Sequence, residues 1–276
     1  MLQRWLVAIV GLPLLLLVLL ACPAWATMLL VCAIAGVAAY ELLHVAGKNA
    51  GKAVYALTII CAVAQVFLTF ANSFGLGWLA RWPLAPAFLL VVLLFFVAVL
   101  TYGKENAVPF ATVAAAIVGG VVFPSMYRCL VLLRVSGVFG RVYILAPFFI
   151  AFAGDTFSMY FGMWFGKKKL TPVSPKKTWA GFWGGPLGSA LGMLLLGWIG
   201  SRWLGYEANA LYLALVGVVG NLFGQLGDLS TSLIKREAGI KDYSHLFLTH
   251  GGMLDRFDST LFIAPIVYFF VSTGII

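Results

Sequence analysis

Nine apolar runs, most of them long enough to cross a bilayer, divide this chain, and no water-soluble fold accommodates them. Marking the runs and the Gly, Pro or charged breaks between them predicts helices at approximately 4–21, 24–44, 53–72, 84–101, 107–131, 141–165, 179–200, 208–228 and 259–275. A spanning helix needs about 20 mainly apolar residues, so nine use roughly 180 positions. Composition agrees: 63% of the residues are hydrophobic, 10% are charged and the mean hydropathy is +1.03, whereas a water-facing domain carries about a quarter charged residues. A soluble globule, a disordered chain and a membrane protein with a large extramembrane domain are thereby excluded. The expected architecture is all-α, a polytopic integral membrane protein of about nine transmembrane helices with short loops. The first run, with Arg4 before it and Cys22 and Ala24-Trp25-Ala26 behind it, has the outline of a cleaved signal. A second run begins at once, so the first is read as a retained helix.

The formal charge of +9 comes from 18 Lys and Arg against 9 Asp and Glu. In a soluble chain that excess would point to nucleic acid; here the basic residues belong in loops beside lipid headgroups, and no nucleic-acid partner is expected. With the N-terminus inside, 13 of the 18 basic residues fall on the cytoplasmic face, and Arg81, Arg128, Arg134, Arg141 and Arg202 fall in outer loops. The bias fits the positive-inside rule and puts the two richest loops, 166–178 and 229–258, on one face. The four cysteines, Cys22, Cys32, Cys61 and Cys129, lie scattered in apolar runs without metal-ligand spacing and read as small packing residues.

Acidic residues divide the chain further. Residues 1–140 hold two, Glu41 and Glu105, whereas the other seven, among them Asp155, Asp228, Glu237, Asp242, Asp255 and Asp258, crowd the remainder. The expected organisation is therefore an N-terminal scaffold of helices over 1–140 and a C-terminal catalytic region over 141–276. Asp155 sits near the middle of the sixth run, where a carboxylate costs several kcal/mol unless it meets a cation, a metal or water. A structural hydrogen bond between helices is the simpler alternative.

The next loop places Lys167, Lys168, Lys169, Lys176 and Lys177 within eleven residues. The triple lysine alone is accounted for by anchoring at anionic lipid. Ser174-Pro175-Lys176-Lys177-Thr178 is less generic and reads as a rigid turn presenting two ammonium groups and two hydroxyls to a phosphate. At the end of the eighth run, Asp228, Ser232 and Lys235 fall at i, i+4 and i+7, so a continuing helix would align carboxylate, hydroxyl and ammonium on one face. Lys235 and Arg236 also suit a helix C-terminus, but Asp228 does not. Before the ninth run, His250-Gly251-Gly252 leads into Asp255-Arg256-Phe257-Asp258, with two glycines that let backbone approach a ligand and two carboxylates three apart. Acidic groups among lysines and arginines at a membrane surface point to a divalent cation bridging carboxylates and phosphates; a structural salt-bridge cluster is the rival. His250 is a candidate general base, phosphate donor or loop-positioning group, and phosphoryl or nucleotidyl transfer needs little beyond positioned metal and cations.

These residues carry a resemblance. Ser232-x-x-Lys235-Arg236-x-x-x-x-Lys241-Asp242, followed by His250-Gly251-Gly252-x-x-Asp255-Arg256-x-Asp258-Ser259, resembles the signature of the phosphatidate cytidylyltransferases, also called CDP-diacylglycerol synthases. Asp155, the Phe165-Gly166-Lys167 and Ser174 to Trp179 stretches and Gly227-Asp228-Leu229 look like the same family. The likeness is strong over 155–259 and only general in the N-terminal half. It departs at Ala180 and Thr231, where the family commonly has Glu, and at Leu248-Thr249, where it has Pro-Gly.

The resemblance implies that the phosphate of phosphatidic acid attacks the α-phosphate of CTP, giving CDP-diacylglycerol and pyrophosphate with magnesium, and with room for a second cation. It implies Asp228 and Asp255 as metal ligands, and Asp228, Asp255, Lys235, Arg236 and His250 as the catalytic set. Lys167, Ser174, Lys176, Lys177, Thr178, Ser232, Lys241, Asp242, Gly251, Gly252, Arg256, Asp258 and Asp155 become substrate-binding candidates. The expected partners are CTP, phosphatidic acid and the lipid bilayer, with a homodimer as a candidate assembly. The expected place is a bacterial-type inner membrane, with the site on the cytoplasmic side. The competing readings are a transporter or lipid-binding protein for an anionic substrate, and a CTP-using enzyme acting on another lipid phosphate.

Overall fold

A computed structural model describes residues 11–247 and 251–276. Among these residues each of the nine apolar runs is helical and no strand forms; the first run is described only from Gly11. The helices are α1 (Gly11–Ala21), α2 (Ala24–Ala46), α3 (Lys52–Leu68), α4 (Ala85–Thr101), α5 (Phe110–Val135), α6 (Gly140–Phe165), α7 (Trp179–Leu204), α8 (Ala210–Glu237) and α9 (Met253–Ser272). Among the described residues α2, α5, α6, α7 and α8 are long and apolar enough to cross a membrane. The 20-residue α9 carries Asp255, Arg256 and Asp258 in its first two turns. Pro86 stands in the first turn of α4, and Pro147 opens the regular stretch Ala146–Phe165 of α6 just after a turn at 144–145; at both places its missing N–H costs no helical hydrogen bond.

Two expectations change. The eighth helix does not stop at 228 but continues to Glu237, so Asp228 to Arg236 are helical rather than loop residues. Leu, Ile, Lys, Arg and Glu supply good helix formers there, and no Gly or Pro interrupts them. Arg128 and Arg134 likewise lie within α5, Arg141 within α6 and Arg202 within α7, not in loops. Arg4 lies outside the described residues.

The chain forms two compact units: the residues up to Val131 together with Glu237–Arg256, and Leu132–Arg236 together with Phe257–Ile276. In the first, α2, α3, α4 and the start of α5 pack around Leu43, Val54, Leu90, Leu94, Val113 and Ala116. Residues Val118–Val122 of α5 wind as a π-turn, which frees backbone carbonyls that lipid cannot satisfy. Buried Gln65 of α3 answers by donating from Nε2 to the Gly120 carbonyl at 2.7 Å.

In the second unit, α6, α7, α8 and α9 surround Ile150, Met193, Leu196, Leu213, Val216, Ile263 and Val267. Helix α7 presents buried Gly181, Gly184, Gly185, Gly188 and Gly192 at intervals of one helical turn, and α6 lies directly on them. A Cβ at 184 or 188 would come within 2.6 or 2.5 Å of Phe161 or Phe157, so the missing side chains set how closely the helices approach. Small residues are the usual means of bringing helices together in lipid, where no hydrophobic drive between them exists. A buried polar layer crosses this seam: Ser189 Oγ donates to the Ile150 carbonyl at 2.7 Å, and Gln225 Nε2 donates to Asn221 Oδ1 at 2.6 Å and to the Phe182 carbonyl at 3.0 Å.

Candidate functional site

The helical continuation of α8 brings its polar residues to one face. Ser232 Oγ donates to Asp228 Oδ1 at 3.4 Å, and the Lys177 ammonium forms an ion pair with Asp228 Oδ2. Their side chains are 27% and 29% exposed, so water reaches the pair and its geometry is exchangeable rather than locked. One turn on, Lys235 is buried, and it and Asp228 are charged neighbours of Asp258 on α9; Asp155 on α6 is the third. Thr231 is fully buried and ties the two carboxylate positions together, its hydroxyl approaching Asp258 Oδ2 at 3.5 Å and donating to the Asp228 carbonyl at 3.1 Å. Asp258 Oδ1 also accepts from the Ser259 N–H at 2.7 Å. Asp155 is on the accessible surface of α6.

The lysine-rich loop is ordered by its own backbone. An antiparallel bridge joins Lys169 and Thr178, the Leu170 N–H donates to the Lys177 carbonyl at 3.0 Å, and the Trp179 N–H donates to the Lys168 carbonyl at 3.1 Å. The Lys177 N–H closes a tight turn on the Ser174 carbonyl at 3.0 Å, with Pro175 restricting the turn. Lys167, Lys168, Lys169 and Lys176 project as exposed side chains, whereas Lys177 turns to Asp228. Thr178 is buried: its hydroxyl caps α7 by accepting from the Gly181 N–H at 3.2 Å. Arg236, exposed at the end of α8, donates from Nε to the Val173 carbonyl of the loop at 3.4 Å.

The remaining candidates belong to the other unit. Among them Asp255 accepts from backbone amides. Asp255 Oδ2 accepts from the Tyr243 N–H at 2.8 Å and from the Gly252 N–H at 2.9 Å. Gly251 has φ of 81°, a left-handed conformation natural to glycine, and Gly252 is buried. Lys241 and Arg256 are exposed and Asp242 is half-buried. His250 lies outside the described residues.

Glu41 of α2 was not among the candidates. It is 2% exposed, and it accepts from Ser244 Oγ at 2.6 Å, Met253 N at 3.0 Å and Leu254 N at 2.8 Å. The reasoning that singled out Asp155, a lone carboxylate within an apolar run, applies equally to Glu41 in the second run. Thr231, noted only as a departure, likewise joins the polar cluster.

Among the described residues no group of three or more His, Cys, Asp or Glu side chains is arranged to hold a metal ion unaided. The second unit nevertheless offers hard oxygen donors beside ammonium groups. That donor chemistry fits magnesium, which takes one or two carboxylates and completes its shell with water and substrate phosphates.

Residues 2–273 match the family model described as the cytidylyltransferase family. A protein of Staphylococcus epidermidis called phosphatidate cytidylyltransferase is 44% identical over 129 residues, covering 46% of this chain and 48% of that protein. One of the same name from Synechocystis is 40% identical over 133 residues, covering 48% and 44%. The chain thus spans about half the length of these relatives. A Rickettsia felis protein of that name is 31% identical over 198 residues, covering 67% of this chain and 87% of its own length.

Proposed function

The chain belongs to the cytidylyltransferase family, and from that premise we propose that it transfers the cytidylyl group of CTP to phosphatidic acid in phospholipid biosynthesis. A phosphate oxygen of phosphatidic acid attacks the α-phosphorus of CTP. The bond from that phosphorus to the bridging oxygen breaks, and pyrophosphate leaves. The observation that carries this reading is the accessible Lys177–Asp228 ion pair, set on one helix face with Ser232 and buried Lys235 beside a cationic hairpin. An arriving polyphosphate competes for Lys177, and the Asp228 carboxylate so released is available to a cation that travels with the nucleotide.

Asp228 in one unit and Asp255 in the other are each proposed as magnesium ligands, to be tested separately. Magnesium supplies charge neutralisation on the phosphate oxygens and orientation of the reacting groups. Lys235 and Arg236 act on developing negative charge, and Lys167, Lys176, Lys241 and Arg256 hold phosphate. Asp155 and Asp258 set the charge balance around Asp228 and Lys235. Thr178 and Ser174 serve by shaping the hairpin that carries Lys176 and Lys177. Gly251 and Gly252 let backbone approach substrate, and His250 and Asp242 complete the proposed set. The protein works in a bacterial-type inner membrane with this site facing the cytoplasm, taking CTP from water and phosphatidic acid from the lipid phase.

Purified protein in detergent, given CTP, phosphatidic acid and magnesium, is expected to release pyrophosphate and form CDP-diacylglycerol. Asp228→Asn and Asp255→Asn are each expected to abolish this. A wild-type protein that transfers no nucleotide to any lipid phosphate would end the enzyme reading.

A further inference from the structure

Three donors converge on one buried carboxylate: Glu41 Oε1 accepts from Ser244 Oγ and the Met253 N–H, and Oε2 accepts from the Leu254 N–H. Met253 and Leu254 are the first two residues of α9, whose amides have no partner within the helix. A buried carboxylate there is stabilised by these amides and by the positive end of the helix dipole. The acceptor lies more than 200 residues away in sequence. Fit is close, since a Cβ on Gly252 would overlap the Glu41 carboxylate. Asp255 ties the same segment to Tyr243 through the Gly252 and Tyr243 N–H groups.

We propose that Glu41 is the positioning residue of segment 251–256: it holds the backbone amides of Met253 and Leu254 against Gly252 and so sets where Asp255 and Arg256 stand. Glu41 touches neither substrate nor metal. It acts through the backbone, with both of its oxygens accepting from donors. A glutamine keeps one acceptor but turns an NH2 group against an N–H. The kinetic half of the proposal rests on the cytidylyl-transfer reading; the structural half does not.

Two measurements on the full-length protein in detergent test it. Hydrogen–deuterium exchange, without metal, CTP or lipid, is expected to be slow at the Met253 and Leu254 amides and, in Glu41→Gln, about tenfold faster at the amide that the NH2 group faces, because that amide loses its acceptor. In the transfer assay the same variant is expected to raise the KM for CTP about fivefold, a change that a mere loss of folded protein does not produce. Ser244→Ala removes one of the three hydrogen bonds, folds even if Glu41→Gln does not, and is expected to shift both readouts about twofold in the same direction. Unchanged exchange at 253 and 254 in either variant, or reduced yield with an unchanged KM, overturns the proposal. If the wild type transfers nothing, the function assigned above fails, and the exchange measurement alone still decides the role of Glu41.

Discussion

Carboxylates in the two units differ in the partners that hold them. In the second unit Asp228 meets an ammonium and a hydroxyl, and Asp258 lies among Lys235, Asp228 and Asp155. In the first, Glu41 and Asp255 meet backbone N–H groups. Mobile side-chain partners can be exchanged for a ligand's phosphates, whereas backbone amides cannot leave without unmaking a loop. The first arrangement therefore suits turnover and the second suits shape. A chain with so few charges sets some among exchangeable side chains and others against backbone amides.

That contrast is broken or sharpened by substitution. The largest effect is expected from Asp228→Asn: pyrophosphate release falls by about a thousandfold or more, while the melting temperature in detergent stays within about 2 °C, since an accessible ion pair contributes little stability. Asp255→Asn should abolish activity as well but also lower the stability, by roughly 1.5–3 kcal/mol, because its carboxylate holds two backbone amides. Equal melting temperatures for the two variants would erase the distinction. Gly154→Ala sharpens it from the packing side: a Cβ there would sit 2.6 Å from Ser189 Oγ and overlap the Asn221 amide, costing about 1–3 kcal/mol by thermal unfolding. Smallest is Thr231→Val, which removes the hydroxyl between Asp228 and Asp258 and is expected to cost about 1 kcal/mol, with a modest loss of turnover in the same assay.

Much of this was legible in local sequence. Among the described residues the apolar runs marked the helices to within a few residues, apart from the eighth, which extends through Asp228 to Glu237, and the ninth, which begins at Met253 rather than 259; hydropathy alone registers neither, because charged residues end an apolar run without ending a helix. The i, i+4, i+7 spacing of Asp228, Ser232 and Lys235 anticipated their shared face once the helix continued. The turn at Ser174 to Lys177 was visible in its prolines and polar residues, but its ammonium groups turned out to be unequal: Lys176 is exposed and Lys177 is paired. Thr178 read as a ligand-facing hydroxyl, yet it caps α7, a role its place just before an apolar run also encodes.

By itself, then, the sequence determined an all-α membrane protein, the order of its helices and the segments where polar chemistry gathers, because hydropathy, helical period and local charge are properties of neighbours in the chain. Only the tertiary structure decided which distant groups meet: Lys177 with Asp228, Gln65 with the π-turn at Gly120, and Glu41 with the amides of Met253 and Leu254. Each pairing joins residues 51 to 213 positions apart. A buried polar group must find a partner somewhere, but no local pattern says where, since the partner is chosen by how the glycine-lined and apolar helix faces pack.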